Sequence, residues 1–169
     1  MTIDPVVTAG TAAPVVLGAG ERLMLRTESP LQMVDITAEV AAAVLRAGLA
    51  EGVASVFCPH TSCGLAVTEA EDGHHRDLAA VLEELAPQGR AWDHDDLTTR
   101  WQNLEPDERR NGWSHIRHLL ATSPSLVLPV LDGALALGRW QALFLVELDG
   151  PRAQRTVVVQ AWGRPAGSL

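Results

Sequence analysis

Trp140-Gln141-Ala142-Leu143-Phe144-Leu145-Val146-Glu147-Leu148 places apolar side chains on both parities of an extended segment. A strand with one wet face alternates apolar and polar residues; this one requires cover on both faces. A neighbouring subunit is a candidate for one of the covers. The surroundings extend the β reading. Leu126 to Val130 is a strand that precedes an Asp132-Gly133 hairpin turn. An Asp149-Gly150-Pro151 turn then leads into a further strand over Thr156 to Trp162.

Toward the N-terminus, helices enter. Arg22 to Glu28 alternates, with Leu23, Leu25 and Thr27 on one side, and predicts a half-buried strand. A helix follows with Thr37 as its cap and Glu39 at its positive end; Ile36, Val40, Val44 and Ala47 share a face, and Gly48 and Gly52 end it. Val53 to Cys58 and Gly64 to Glu69 read as strands broken at Pro59. Leu78, Val81, Leu82 and Leu85 recur at helical spacing up to Pro87 and Gly89. A short helix is expected from about Ser114 to Thr122, with Ile116, Leu119 and Leu120 inward. Between these two helices, Arg90 to Asn111 is a polar, Trp-bearing stretch too long for a plain linker, and long loops inside small domains are often functional. Residues 1–20 read as a loose tail whose end adds a strand, and 21–169 as one domain without internal repeats.

The 169 residues carry 13 basic and 21 acidic side chains, a net charge of -8. That balance disfavours nucleic acid and anionic lipid as partners, while a local anion site stays open. No apolar run reaches the ~20 residues that span a bilayer. No basic residue precedes Arg22, so the start lacks a secretory pattern and the expected location is cytoplasmic. All the basic residues are Arg, which removes lysine Schiff-base chemistry and the phosphate-loop lysine. Cys58 and Cys63 are too few for a disulfide scaffold and read as small buried hydrophobes, although with His60 they could be soft metal ligands.

Chemistry-bearing residues cluster in several places. His60 sits at the break between two strands. Glu69 ends a strand, Glu71 and Asp72 suit a helix start, and His74 and His75 read as surface residues. In Asp93-His94-Asp95-Asp96 a histidine lies among carboxylates, which suits metal ligation, general acid–base work or an ordinary turn. His115 and His118, three apart on a helix, share a face and with His94 could form an open three-ligand metal centre. Gln141 and Glu147 share a parity. No nucleophile elbow, dinucleotide fingerprint or His-Glu-x-x-His is present.

Taken in order, His60-Thr61-Ser62, Glu69, His94-Asp95-Asp96, Asn111-Gly112, His115, Gly138-Arg139-Trp140-Gln141 and Glu147-Leu148-Asp149-Gly150-Pro151-Arg152 resemble the YjbQ-like family, usually labelled a secondary thiamine-phosphate synthase. The resemblance covers about Arg22 to Gly163. It implies an α+β domain with a β-sandwich-like core and two to three helices, a homotrimer, and a site with a divalent metal, zinc or magnesium. By that resemblance His60, Thr61, Glu69, Asp95, Asp96, Asn111 and Glu147 are the catalytic candidates. The candidate contacts to a small phosphorylated substrate are Gln141 and Arg152 with Arg139, and the candidate metal ligands are His94 and His115 with His118, which the helical spacing adds. The chain departs from the family pattern at Trp113, where a histidine is usual, at Thr68-Glu69-Ala70 and at Arg139. The implied reaction joins a pyrimidine pyrophosphate to a thiazole phosphate with loss of pyrophosphate. The alternatives are a non-catalytic trimeric metal- or anion-binding protein, and an enzyme decayed by the histidine-to-Trp113 change.

Overall fold

The computed structural model describes residues 16–17 and 20–167. The loose tail expected over residues 1–20 therefore lies almost wholly outside the described residues. Its end does add a strand, β1 (Val16–Leu17). The chain continues as β2 (Glu21–Thr27), β3 (Gln32–Asp35), α1 (Thr37–Arg46), β4 (Leu49–Phe57), β5 (Cys63–Glu69) and α2 (Asp72–Leu85). After a 3₁₀ turn at Asp93–Asp95 come α3 (Gly112–Ala121), β6 (Ser125–Leu131), β7 (Ala134–Leu135), β8 (Gln141–Glu147) and β9 (Arg152–Pro165).

Two antiparallel sheets face each other. β8 is the centre of a three-stranded sheet ordered β3-β8-β5, and the larger sheet runs β1-β9-β4-β6-β7 with β2 also on β9. Leu143 and Leu145 of β8 point between the sheets onto Val56, Val157 and Val159, with Ile36 and Val40 closing the core from the α1 side. Ala142, Phe144 and Val146 point the other way, onto Leu82 and Leu78 of α2. The two-sided cover demanded by the β8 sequence thus comes from this chain on both faces. A neighbouring subunit is not needed there, because the α2 stripe fits the second face. Asp132 and Gly133, both at positive φ, make the expected hairpin turn between β6 and β7.

Two local expectations are corrected. Thr37 does not cap α1 with its side chain; its Oγ1 accepts the N–H of Leu143 at 2.8 Å, tying the helix start to β8, and Asp35 Oδ1 accepts the Thr37 N–H instead. In α3 the three residues expected inward face outward: Ile116, Leu119 and Leu120 are 37%, 76% and 55% exposed. The helix starts two residues earlier than expected and turns Ser114, Arg117 and His118 inward, where polar partners await them: Ser114 Oγ donates to Asn111 O, and His118 meets the Cys63 backbone of β5. Arg117 tolerates this burial because its Nε donates to Ala86 O, its Nη2 pairs with Glu83, and its guanidinium lies over the Trp113 ring.

Inside the sandwich, parity brings two charges together. Glu147 shares the inward parity of Leu143 and Leu145, and Arg155 that of Val157 and Val159. Arg155 Nε and Nη2 donate to the two Glu147 oxygens at 2.7 and 2.6 Å, with Glu147 fully buried. Thr27 Oγ1 and the N–H groups of Asp149 and Gly150 complete the carboxylate. Burial by itself pushes the Glu147 carboxyl up, but Arg155 and those N–H groups outweigh it and hold the group below its usual range. Removing one member of such a pair leaves an uncompensated buried charge, at a cost of about 3–5 kcal/mol. Glu147→Ala is expected to lower the chemical-denaturation midpoint accordingly, read by tryptophan fluorescence. A midpoint unchanged from the parent would show that the pair does not hold the sandwich.

Candidate functional site

The Glu147–Arg155 pair anchors one wall of an open cleft of about 590 Å³. Arg155 Nη2 also donates to Ser62 Oγ at 3.2 Å, and Leu148 N–H to Ser62 O, so the loop between β4 and β5 is fixed to the turn after β8. That loop presents Thr61 and Ser62 to the cleft, and the turn presents Arg152. The opposite wall is the start of α3, with Asn111 and His115. The floor and lip come from the long segment before α3, with His94, Arg100, Asn103, Glu105, Glu108 and Arg109.

The long segment is held by its own polar groups. Asp95 Oδ1 accepts the N–H of Gly112 at 2.9 Å, capping the positive end of α3. A Cβ at Gly112 would stand 2.7 Å from Trp92 Cβ and 3.0 Å from His94 Cβ, so only glycine admits this approach. Arg100 is the hub: its Nη1 donates to His94 O at 2.9 Å and Glu108 Oε1 at 2.8 Å, and its Nε and Nη2 donate to Gln102 O and Asn103 O.

These contacts decide which histidines can move a proton. An arginine only donates, so Arg100 Nη1, whose two N–H groups are shared among His94 O, Glu108 Oε1 and, at 3.1 Å, His94 Nε2, turns a positive charge toward the lone pair of His94 Nε2. Likewise Thr156 N–H occupies His60 Nε2 at 2.9 Å, locking that ring to β9. His118 is packed between Thr122 Oγ1 and the Cys63 backbone. His115 differs, since its Nδ1 lies 2.9 Å from Thr61 O and must be the protonated nitrogen. Its Nε2 is then the basic nitrogen, and the ring lines the cleft 4.5 Å from the His94 ring.

The cleft has a cationic corner. Arg109 and Arg152 both pair with the buried Asp149, Arg109 at 3.8 Å, so two guanidinium groups share one carboxylate and one positive charge is in surplus. The acidic residues of the lip are Glu105 and Asp107, with Glu108 committed to Arg100.

The expected site residues divide. Thr61, His94, Asn111, His115 and Arg152 meet at this cleft. His60, Asp95 and Glu147 stand behind it as supports. Asp96 turns away to Thr98 and Thr99. Glu69, Arg139 and Gln141 lie together in a separate, smaller cleft with Trp140, on which the Arg139 guanidinium stacks. Among the described residues no three His, Cys, Asp or Glu side chains converge on a metal position. His94, His115 and His118 do not fit as a metal trio as placed, because the His94 lone pair already faces a guanidinium and His118 is held by Thr122. Sequence reasoning missed Arg100, Glu108, Arg109 and Arg155. Arg155 had a readable signal in its parity with Val157 and Val159, whereas the loop arginines had only the length of their segment.

Burial lowers the basicity of His60, His94 and His118, assisted by Arg155 beside His60 and by His115 beside the other two. A histidine with its pKa lowered by folding contributes stability above its unfolded value, near 6.5, and loses it as pH falls through the folded value. The denaturation midpoint is therefore expected to fall between pH 7.5 and pH 5, and a flat profile over that window would contradict the neutral assignment of these three rings.

Residues 21–164 match the family described as "UPF0047 protein YjbQ-like". A UPF0047 protein of Archaeoglobus fulgidus is 34% identical over 136 residues, 80% of this chain and 96% of that one. YugU of Bacillus subtilis, also a UPF0047 protein, is 30% identical over 142 residues, 83% and 97% of the two chains. Among solved structures, a protein of unknown function from Sulfolobus solfataricus superposes with a TM-score of 0.76 at 27% identity, covering 89% of this chain and all of that one. A YjbQ/UPF0047 protein of Clostridium acetobutylicum superposes at 0.70 with 32% identity, covering 83% and 98%. With its two-sheet fold and the cleft between the His60 loop and α3, this chain belongs to the UPF0047 YjbQ-like family.

Proposed function

We propose that the cleft binds a small phosphorylated molecule and that His115 transfers a proton on it. The observation that carries this reading is the single uncommitted imidazole nitrogen, His115 Nε2, in a described cleft whose inner corner holds Arg109 and Arg152 with one charge in surplus. Two guanidinium forks suit phosphate oxygens. Ser62 and Asn111 add neutral polar groups. The cleft volume lies in the range of sites for small metabolites.

The thiamine-phosphate synthase label implied by the resemblance is the finer proposal. In that reaction the thiazole nitrogen attacks the methylene carbon of hydroxymethylpyrimidine pyrophosphate. The carbon–oxygen bond breaks, and pyrophosphate leaves with the electron pair. Arg109 and Arg152 would stabilise the leaving group as its charge grows, and His115 in its imidazolium form would donate a proton to it. Magnesium, if required, would arrive on the pyrophosphate. Purified protein supplied with both substrates is expected to form thiamine phosphate, and His115→Ala to lower the rate by about 10²–10⁴-fold. His75→Ala, on the far side of the smaller sheet, is the control. Equal product from parent and His115→Ala would overturn the assignment. Saturable phosphate binding without turnover would instead favour the non-catalytic anion-binding alternative.

A homotrimer is proposed as the working assembly. The larger sheet leaves Met24, Phe57, Val127 and Leu131 exposed on its outer face, an apolar surface of the kind that subunits cover. Light scattering is expected to give three chain masses, and Val127→Glu to reduce that mass; a monomeric parent would rule the trimer out.

A further inference from the structure

We infer that Arg100 is the resident cation of the cleft: its guanidinium, seated between His94 Nε2 and Glu108 Oε1, fills the place where a divalent ion bridging those two groups would sit. His94 Nε2 and Glu108 Oε1 stand 3.8 Å apart, and Arg100 Nη1 lies 3.1 Å from the first and 2.8 Å from the second. A histidine nitrogen and a carboxylate oxygen at that separation are two zinc-type donors facing one position, and the His115 ring, 4.5 Å from the His94 ring, does not converge on it with the arginine in place. With the arginine present, the same lone pairs face its shared N–H donors, and an incoming dication meets a fixed positive charge.

Arg100 is not free to swing aside. Its side chain is largely buried, and its Nε and Nη2 are held by Gln102 O and Asn103 O, so leaving the site would release five acceptors at once. A guanidinium has five N–H groups, and Nη2 keeps one beyond its bond to Asn103 O for the cleft that Arg100 lines. The site therefore meets its phosphorylated ligand with charge supplied by arginine and takes up no metal of its own. This last step rests on the phosphate reading above; the occupancy of the metal position by Arg100 does not.

The test uses the full-length, chelator-treated protein, titrated calorimetrically with Zn²⁺, Mn²⁺ or Mg²⁺ alone and, separately, with inorganic phosphate. The parent is expected to show no one-per-chain metal site that depends on His94. Arg100→Gln, which removes the charge and keeps an amide, is expected to gain a Zn²⁺ site visible as a raised melting temperature, and Arg100→Gln/His94→Ala to lose it. One zinc per parent chain, abolished by His94→Ala, would overturn the inference; so would a folded Arg100→Gln variant that binds no zinc. Should that variant fail to fold, ¹⁵N spectra of the parent histidines decide: His94 is expected in the Nδ1–H form with an Nε2 signal unmoved by zinc, and a shifted signal overturns the inference. Failure of phosphate to bind, with the metal results as expected, would remove the proposed function and leave the role of Arg100 standing.

Discussion

Glu147 and Arg155 occupy positions that the strand pattern reserves for apolar side chains, and the structure works around that fact. A buried carboxylate and guanidinium persist only if their donors and acceptors are matched, and here the match recruits Thr27 from β2, Ser62 from the loop after β4, and two N–H groups of the turn after β8. Each recruit fixes a segment that the sheet ladders leave undetermined. Ser62 brings Thr61 O to where it orients His115, and the turn brings Asp149 and Arg152 to the cleft. The pair is thus less a source of net stability than a fixed reference for the site wall.

The opposite wall follows the same logic with a different charge. The segment before α3 has few apolar groups to bury, so Arg100 gathers its carbonyls and Asp95 joins it to the end of the helix. Histidine roles follow from these partners rather than from proximity. Four rings lie around the cleft and its supports, yet three have their lone pairs or faces committed, leaving His115 to face the solvent of the cleft.

Much of the fold was legible because it rests on periodicity. The two-sided β8, the alternating β2, the helical spacing of Leu78 and Leu82, and the Asp132-Gly133 turn all report local geometry, and each appears where expected. α3 was not legible in its orientation. Its sequence offers an apolar stripe through Ile116 and Leu120 and a mixed one through Ser114, Arg117 and His118. Choosing between them depends on knowing that β5 backbone and Glu83 await on one side. The site was half legible for a related reason. Residue types and order pointed to His94, Asn111, His115 and Arg152, but grouped Glu69, Arg139 and Gln141 with them, although β5 and β8 carry those three to another edge.

The sequence by itself determined most of the elements, though not β3, the need to cover β8 on both faces, the absence of lysine chemistry and the set of residue types available for proton transfer and phosphate contact. These depend on spacing along one chain and on the side-chain inventory. Tertiary structure alone decided which of those residues meet, which histidine nitrogen stays free, and that an arginine stands beside His94. Those outcomes depend on hydrogen-bond partners that lie far apart in the chain, such as Thr61 O for His115 and Thr156 N–H for His60, and no local pattern encodes a partner at that distance.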